Sequence, residues 1–128
     1  MKLGPRNLAA LASMSAFASI AHAQLIEIEW DAQQQFTRSV DVAPGKFAEV
    51  CGKLTPPGSV AWQFEAGEPL NFNVHYHEGK EVRFPAKADA QTRLKGVLDV
   101  TTEQDYCWMW SNKGAVPGKL SFVLKKMS

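Results

Sequence analysis

The segment from residue 70 to residue 85, LNFNVHYHEGKEVRFP, alternates between apolar and polar side chains with a period of two. Such alternation indicates a β-strand with one face on a core and the other face in water. The apolar face consists of Leu70, Phe72, Val74 and Tyr76. The polar face consists of Asn71, Asn73, His75 and His77. Glu78-Gly79 predicts a turn, so we expect a β-hairpin whose returning strand ends at Pro85.

Shorter alternating segments, separated by Pro and Gly, fill the rest of the chain. They are residues 25–30, 36–42, 46–54, 59–65, 92–101, 104–110 and 119–125. Residues 66–69 are interpreted as a turn and Gly96 as a β-bulge. No stretch has the periodicity of a long amphipathic helix. About seven to nine short strands, with a turn about every ten residues, predict an all-β fold, namely an antiparallel β-sandwich in a single domain.

The first 23 residues have the features of a signal peptide. Lys2 and Arg6 form a basic start, residues 8–20 are apolar and rich in Ala, and Ala21-His22-Ala23 fits a cleavage site. The apolar run is too short for a typical membrane span, so we expect cleavage and no stable membrane insertion. The predicted organisation is a signal peptide at 1–23 and a β-sandwich domain at 24–128. The protein would be exported, either to a bacterial periplasm or out of the cell.

Charge argues against a nucleic-acid partner. Removing Lys2 and Arg6 leaves 14 − 2 = 12 basic residues against 13 acidic ones, a net charge of 12 − 13 = −1 with His neutral. The basic residues are scattered from Arg38 to Lys126, whereas nucleic-acid binding needs a clustered basic face.

Cys51 and Cys107 are the two cysteines of the chain. A single pair in an exported domain predicts one structural disulfide. The alternative is that both act as thiolate metal ligands, which requires an environment that keeps them reduced.

The cysteines also belong to a longer pattern. Gly45-Lys-Phe-Ala-Glu49-Val-Cys51, the later Asp105-Tyr106-Cys107 and Asn112 before the last strand resemble the Golgi-dynamics (GOLD) domain of luminal cargo receptors. The resemblance covers about residues 43–125 and implies a small disulfide-tied β-sandwich that binds a protein partner. The His pair is not a feature of that family. The resemblance therefore implies an interaction or adaptor module for an envelope protein, and not cargo transport itself.

His75 and His77 carry the most concentrated chemistry of the chain. Two residues apart on one strand, they are about 6.6 Å apart at Cα, and both rings can reach one point in space. Neutral imidazoles suit copper, zinc and related metals. Glu81 or Glu78 would supply a third ligand, and Asn73 a weaker ligand or a partner that holds a ring nitrogen. We therefore expect a non-enzymatic protein that captures one copper or zinc ion; the simpler alternative is a solvated polar surface without metal.

The spacing His75-x-His77-x-x-x-Glu81 also resembles the first metal motif of the cupin superfamily. The resemblance implies a small metalloenzyme as a further alternative. The second cupin motif needs a His after its turn, and none follows Val116-Pro117-Gly118. A Gly-x-Ser-x-Gly elbow is also missing, so the sequence does not favour an enzyme.

The aromatic segment at residues 106–110, YCWMW, offers sulfur ligands for copper. Met109 is accordingly an alternative ligand if the metal is copper. Alternation separates Cys107 and Met109 from the three aromatic residues of this segment. Packing of both faces between two sheets would explain the segment without any cofactor.

Overall fold

The computed structural model describes residues 23–127. The predicted signal peptide lies outside the described residues, except for Ala23. The described part contains seven β-strands: β1 (Gln24–Glu27), β2 (Gln35–Val42), β3 (Phe47–Leu54), β4 (Ser59–Glu78), β5 (Glu81–Asp99), β6 (Gln104–Ser111) and β7 (Gly118–Met127). The predicted all-β class is confirmed. Within these residues there is no helix with the length and apolar character that a membrane crossing requires.

The long hairpin of β4 and β5 belongs to two layers. Residues 59–66 of β4 pair with β7, whereas residues 71–75 pair with β6. The first layer therefore has the order β1-β3-β6-β4-β5, and the second layer has the order β2-β7-β4-β5. Because β4 changes neighbours half-way along its length, the sheet curls over itself and encloses a core. This arrangement confirms the predicted sandwich, although β1 joins β3 in parallel and not antiparallel.

The Pro and Gly residues that were expected to end strands in the hairpin lie in bulges instead. Pairing of β4 with β5 shifts in register at three places, between Glu65 and Leu70, between Leu70 and Phe72, and between Val74 and Tyr76. Residues 66–69 lie in the first shift and Pro85 lies opposite the third, so the predicted turn and the predicted hairpin end at Pro85 are wrong. A bulge accommodates a residue that lacks an N–H group and bends the strand. The irregularities between Glu65 and Phe72 lie where β4 changes its neighbour from β7 to β6, so they coincide with the corner between the layers.

Gly96 does not lie in a bulge, because it pairs directly with Trp62. A Cβ atom at this position would lie 2.5 Å from Cζ2 of Trp62. The glycine is required because the indole lies across the neighbouring strand, and the predicted bulge there is wrong.

Aromatic side chains fill the space between the layers. Trp110 stacks on Phe122 with ring centroids 4.8 Å apart and meets Phe64 edge-on at 5.7 Å. Trp108 is fully buried. Cys107, by contrast, lies on the outer face of the first layer beside His75. The prediction that both faces of β6 pack between two sheets is therefore wrong, because only the aromatic face of β6 reaches the core.

Asn112 ties the loop after β6 to the end of β2. Its side chain is fully buried, and its Nδ2 donates to the carbonyl oxygens of Val42 at 2.9 Å and Val116 at 2.8 Å. Its Oδ1 accepts a hydrogen bond from the amide of Gly114 at 2.8 Å. Three satisfied bonds allow the buried amide to hold this corner of the sandwich.

Candidate functional site

Strand register brings the two cysteines and His75 side by side on the outer face of the first layer. Cys51 pairs with Cys107 across β3 and β6, and Cys107 pairs with His75 across β6 and β4. Cys51 and Cys107 form a disulfide, as predicted. The bridge therefore lies on the outer surface of one layer and joins adjacent strands.

His75 is almost completely buried although it faces away from the core. It is 6% exposed, and the ring of Phe84 lies with its centroid 6.1 Å from that of the imidazole. Its Nδ1 lies 2.7 Å from Oδ1 of Asn73. With the Asn73 amide in this orientation, its oxygen accepts from Nδ1–H, which leaves the lone pair on Nε2 of the neutral imidazole. The solvated polar face expected from the sequence therefore does not include His75.

Glu49 supplies the other side of this site. It lies on β3, two strands away from His75, and its side chain crosses β6 so that Oε2 is 3.5 Å from Nε2 of His75. Its Oε1 lies 3.5 Å from Sγ of Cys51, a contact and not a hydrogen bond, because a disulfide sulfur has no proton to donate. Sequence reasoning missed Glu49 as a site residue. The available signal was its position two residues before Cys51, on the same face of the strand.

Burial keeps the imidazole of His75 neutral. Loss of solvation lowers its pKa from the ordinary 6.5, and the carboxylate of Glu49, which raises it, has a smaller effect. Repulsion from His77 lowers the pKa of His75 further. The contact between His75 and Glu49 at neutral pH is thus a lone pair that faces a carboxylate, and not an ion pair. A cation between Nε2 of His75 and the carboxylate of Glu49 would relieve the repulsion between the lone pair and the negative charge.

The other predicted ligands lie farther along the hairpin. His77 is exposed, and its ring centroid is 5.4 Å from that of His75, with the planes nearly perpendicular at 87°. Glu78 and Glu81 lie near the turn, where their oxygens are 3.5 and 3.8 Å from the guanidinium of Arg83.

Met109, the alternative copper ligand, pairs with Glu49 on one side and Asn73 on the other. It therefore lies on β6 between Glu49 and Asn73, the two residues that flank the imidazole.

Within residues 23–127, one group of three or more candidate ligands has its ligand atoms within 4.8 Å of one another, namely Glu49, Cys51 and Cys107. The two sulfurs of that group are bonded to each other in the disulfide, so neither is a thiolate ligand. The two histidines and a hairpin glutamate do not converge in this way, so a site built on them requires the exposed side chains to turn.

The hairpin end extends past β6. Pairing of β4 with β6 stops at His75, whereas β4 and β5 continue to pair as far as Glu78 and Glu81. Two apolar side chains are exposed there, Val82 at 40% and Phe84 at 49%. The end of the hairpin thus presents apolar surface beside the histidines.

The fold and the site define a small all-β domain with one cross-strand disulfide and a buried polar cluster on its outer face. No protein-family model and no curated protein matches the sequence. Several solved structures are similar in fold, and two of them are described here. The first is PliG of Aeromonas hydrophila, a periplasmic inhibitor of g-type lysozyme, with a TM-score of 0.55 and 12% identity over 81% of this chain and 98% of that one.

The second is the pre-peptidase C-terminal domain of a collagenase from Bacillus anthracis. Its TM-score is 0.54 and its identity is 10%, over 83% of this chain and 95% of that one. At such identities the two likenesses establish a shared fold. A disulfide-tied β fold is accordingly supported, and the disulfide is typical of proteins exported to an oxidising compartment.

Proposed function

We propose that this protein is an exported, non-enzymatic β-sandwich that captures one zinc or copper ion on the outer face of its first layer. Its ligands would be Nε2 of His75 and the carboxylate of Glu49, with His77 turning in as the third. Asn73 would hold the imidazole in the tautomer that binds metal, as partners of ligating histidines do. In this set Glu49 takes the position that the sequence predicted for Glu78 or Glu81.

One distance carries the proposal. Two ligand atoms about 2.1 Å from a tetrahedral zinc ion are about 3.4 Å apart. Nε2 of His75 and Oε2 of Glu49 are 3.5 Å apart, with a lone pair on one and a negative charge on the other. The pair therefore has the separation and the charge that a divalent cation requires.

The test is the metal content and zinc affinity of the mature protein, measured by elemental mass spectrometry and by calorimetry under oxidising conditions. Glu49→Gln and His77→Ala are each expected to weaken zinc binding at least about tenfold. Glu81→Gln is the matched control, because it removes a hairpin carboxylate at the alternative position. Loss of binding in Glu81→Gln but not in Glu49→Gln would move the site to the hairpin turn. Absence of binding by the wild type, for zinc and copper alike, would refute metal capture.

A second candidate is a protein-interaction module of the kind that the GOLD-like pattern implies. It is favoured by the exposed Val82 and Phe84 on the projecting hairpin end. PliG, which has a similar fold, is named as an inhibitor and so has a protein partner. A Phe84→Ser variant that loses an envelope protein in a pull-down, with no effect of a chelator, would favour this function. A partner lost on chelation would instead link it to the metal site.

A further inference from the structure

We propose that the Cys51–Cys107 disulfide is a redox gate for a second metal site, in which both thiolates bind zinc together with Glu49 and His75. The site would exist only in the reduced protein. The inference shares Glu49 and His75 with the proposed function, but it does not need the oxidised protein to bind metal.

The cluster has the composition of a tetrahedral zinc site. The ligand atoms of Glu49, Cys51 and Cys107 lie within 4.8 Å of one another. Glu49 also lies between a sulfur and the fourth ligand, because its Oε1 is 3.5 Å from Sγ of Cys51 and its Oε2 is 3.5 Å from Nε2 of His75. Two thiolates, one imidazole and one carboxylate are all ordinary zinc ligands. Reduction would therefore add two ligands to a pair that already converges.

The strands can hold the four residues in place without the disulfide. β3 and β6 pair along eight residues from Phe47 to Leu54, so the register of Cys51 against Cys107 does not depend on the covalent bond. β6 and β4 pair from Asn71 to His75, which fixes the imidazole beside Cys107. Backbone pairing thus pre-arranges the ligands, which lowers the cost of ordering them when metal binds.

Cys51 is also open to a reductant. It is only partly buried, and an open groove beside it is lined by Leu25, Glu27, Lys53 and Asp105. A dithiol would attack through its thiolate, form a mixed disulfide, and leave as a cyclic disulfide. The two electrons of the dithiol then reside on two protein thiols. Zinc binding displaces the two thiol protons to solvent.

The experiment compares oxidised and phosphine-reduced protein by zinc calorimetry. A phosphine reduces the disulfide with one water, is oxidised to the phosphine oxide and leaves no thiol to compete for zinc. His77→Ala separates the two sites, because it should weaken zinc binding to the oxidised protein only. Reduced His77→Ala is expected to bind one zinc ion at least about 100-fold more tightly than reduced Cys51→Ser/Cys107→Ser.

A spectroscopic readout identifies the ligands. Cobalt(II) added to the reduced protein should give thiolate-to-cobalt charge-transfer absorption, which Cys51→Ser/Cys107→Ser lacks. Glu49→Gln should weaken binding to the reduced protein, whereas Glu81→Gln should not. Circular dichroism monitors the fold in each sample.

Three outcomes would overturn the inference. One is equal zinc affinity in the reduced wild type and the double serine variant. Another is cobalt binding without charge-transfer absorption. The third is loss of the β-sheet signal on reduction that zinc does not restore. The proposed function fails separately, if the oxidised wild type binds no metal while the reduced protein does.

Discussion

Asn73 decides which nitrogen of His75 is available to a metal. Its Oδ1 accepts the Nδ1 proton at 2.7 Å, so Asn73→Ala frees the ring to rotate and to change tautomer. We expect zinc affinity of the oxidised protein to fall about 10- to 100-fold, as is usual when the partner of a ligating His is removed. Competition against a chromophoric chelator measures the change. Met109→Leu, a neighbour on the same face, should leave zinc affinity unaltered, and an unchanged affinity in Asn73→Ala would contradict this role.

The buried imidazole should also make stability depend on pH. The groups that face His75 are Glu49, which raises its pKa, and His77, which lowers it, while burial lowers it most. The unfolded chain therefore binds a proton near pH 6.5 that folded His75 resists, so the free energy of unfolding should fall as the pH drops below about 6.5. Above that pH this residue has no effect.

Urea unfolding of the metal-free protein, in chelator between about pH 7.5 and 5.5, measures this dependence. His75→Gln should flatten the curve. Glu49→Gln should steepen it, because it removes the group that raises the pKa of His75. A wild-type curve as flat as that of His75→Gln would show that the imidazole is not shifted.

Alternation in the sequence predicts on which face of a strand a side chain lies, but not how far that side chain extends across neighbouring strands. It places His75 and Asn73 on one face, and the structure confirms that placement. It cannot show that Glu49 crosses a neighbouring strand to cover the imidazole, because the order of β3, β6 and β4 is set by long-range pairing. Burial of His75 follows from that order, and so it could not be predicted from residues 70–85 alone.

Among the elements, β4 and β5 pack closely together where Gly96 lies beside Trp62. A Cβ atom there would meet Cζ2 of Trp62 at 2.5 Å and Cε2 at 2.9 Å, and the indole is 7% exposed, with little room to move. Gly96→Ala should therefore lower the free energy of unfolding by about 1–3 kcal/mol, as overpacking usually does. Chemical denaturation measures the change.

Gly58→Ala is the matched control, because no atom lies within 4 Å of the Cβ it would add. It should change the free energy of unfolding by less than about 0.5 kcal/mol. Equal effects of the two substitutions would mean that the Trp62 side chain moves aside without lowering the free energy of unfolding.

The same hairpin shows why strand boundaries were harder to predict than strand faces. Pro and Gly in residues 66–69 and Pro85 are local signals that fit a turn and a bulge equally well. The choice between them depends on whether a neighbouring strand continues to pair. Here β5 continues beside β4 on both sides of each irregularity, so two expected interruptions became bends in one hairpin.

For the whole molecule, cysteine placement carried more information than any motif. A single cysteine pair in a chain with the features of an exported protein predicts the disulfide, and alternation of the segments predicts the sandwich. The division into layers was not predictable, because it depends on β4 pairing with β7 along one half and β6 along the other. Alternation predicts that the aromatic residues of β6 share one face, but the outer location of the disulfide follows only from the layer order.

The disulfide should contribute to the stability of the domain by constraining the unfolded chain. The bridge closes a loop of 56 residues, and the chain-entropy model gives a stabilisation of about 4 kcal/mol for a loop of that length. Cys51→Ser/Cys107→Ser should therefore unfold at a clearly lower urea concentration than the oxidised wild type, with a steeper slope, because the unfolded chain is more expanded without the bridge. Reduced wild type should match the double variant without metal, because both lack the bridge. Added zinc should then raise the midpoint of the reduced wild type more than that of the variant, because the variant keeps Glu49, His75 and His77 but lacks the two thiolates. Equal midpoints with and without the bridge would show that the disulfide adds no measurable stability to that of strand pairing.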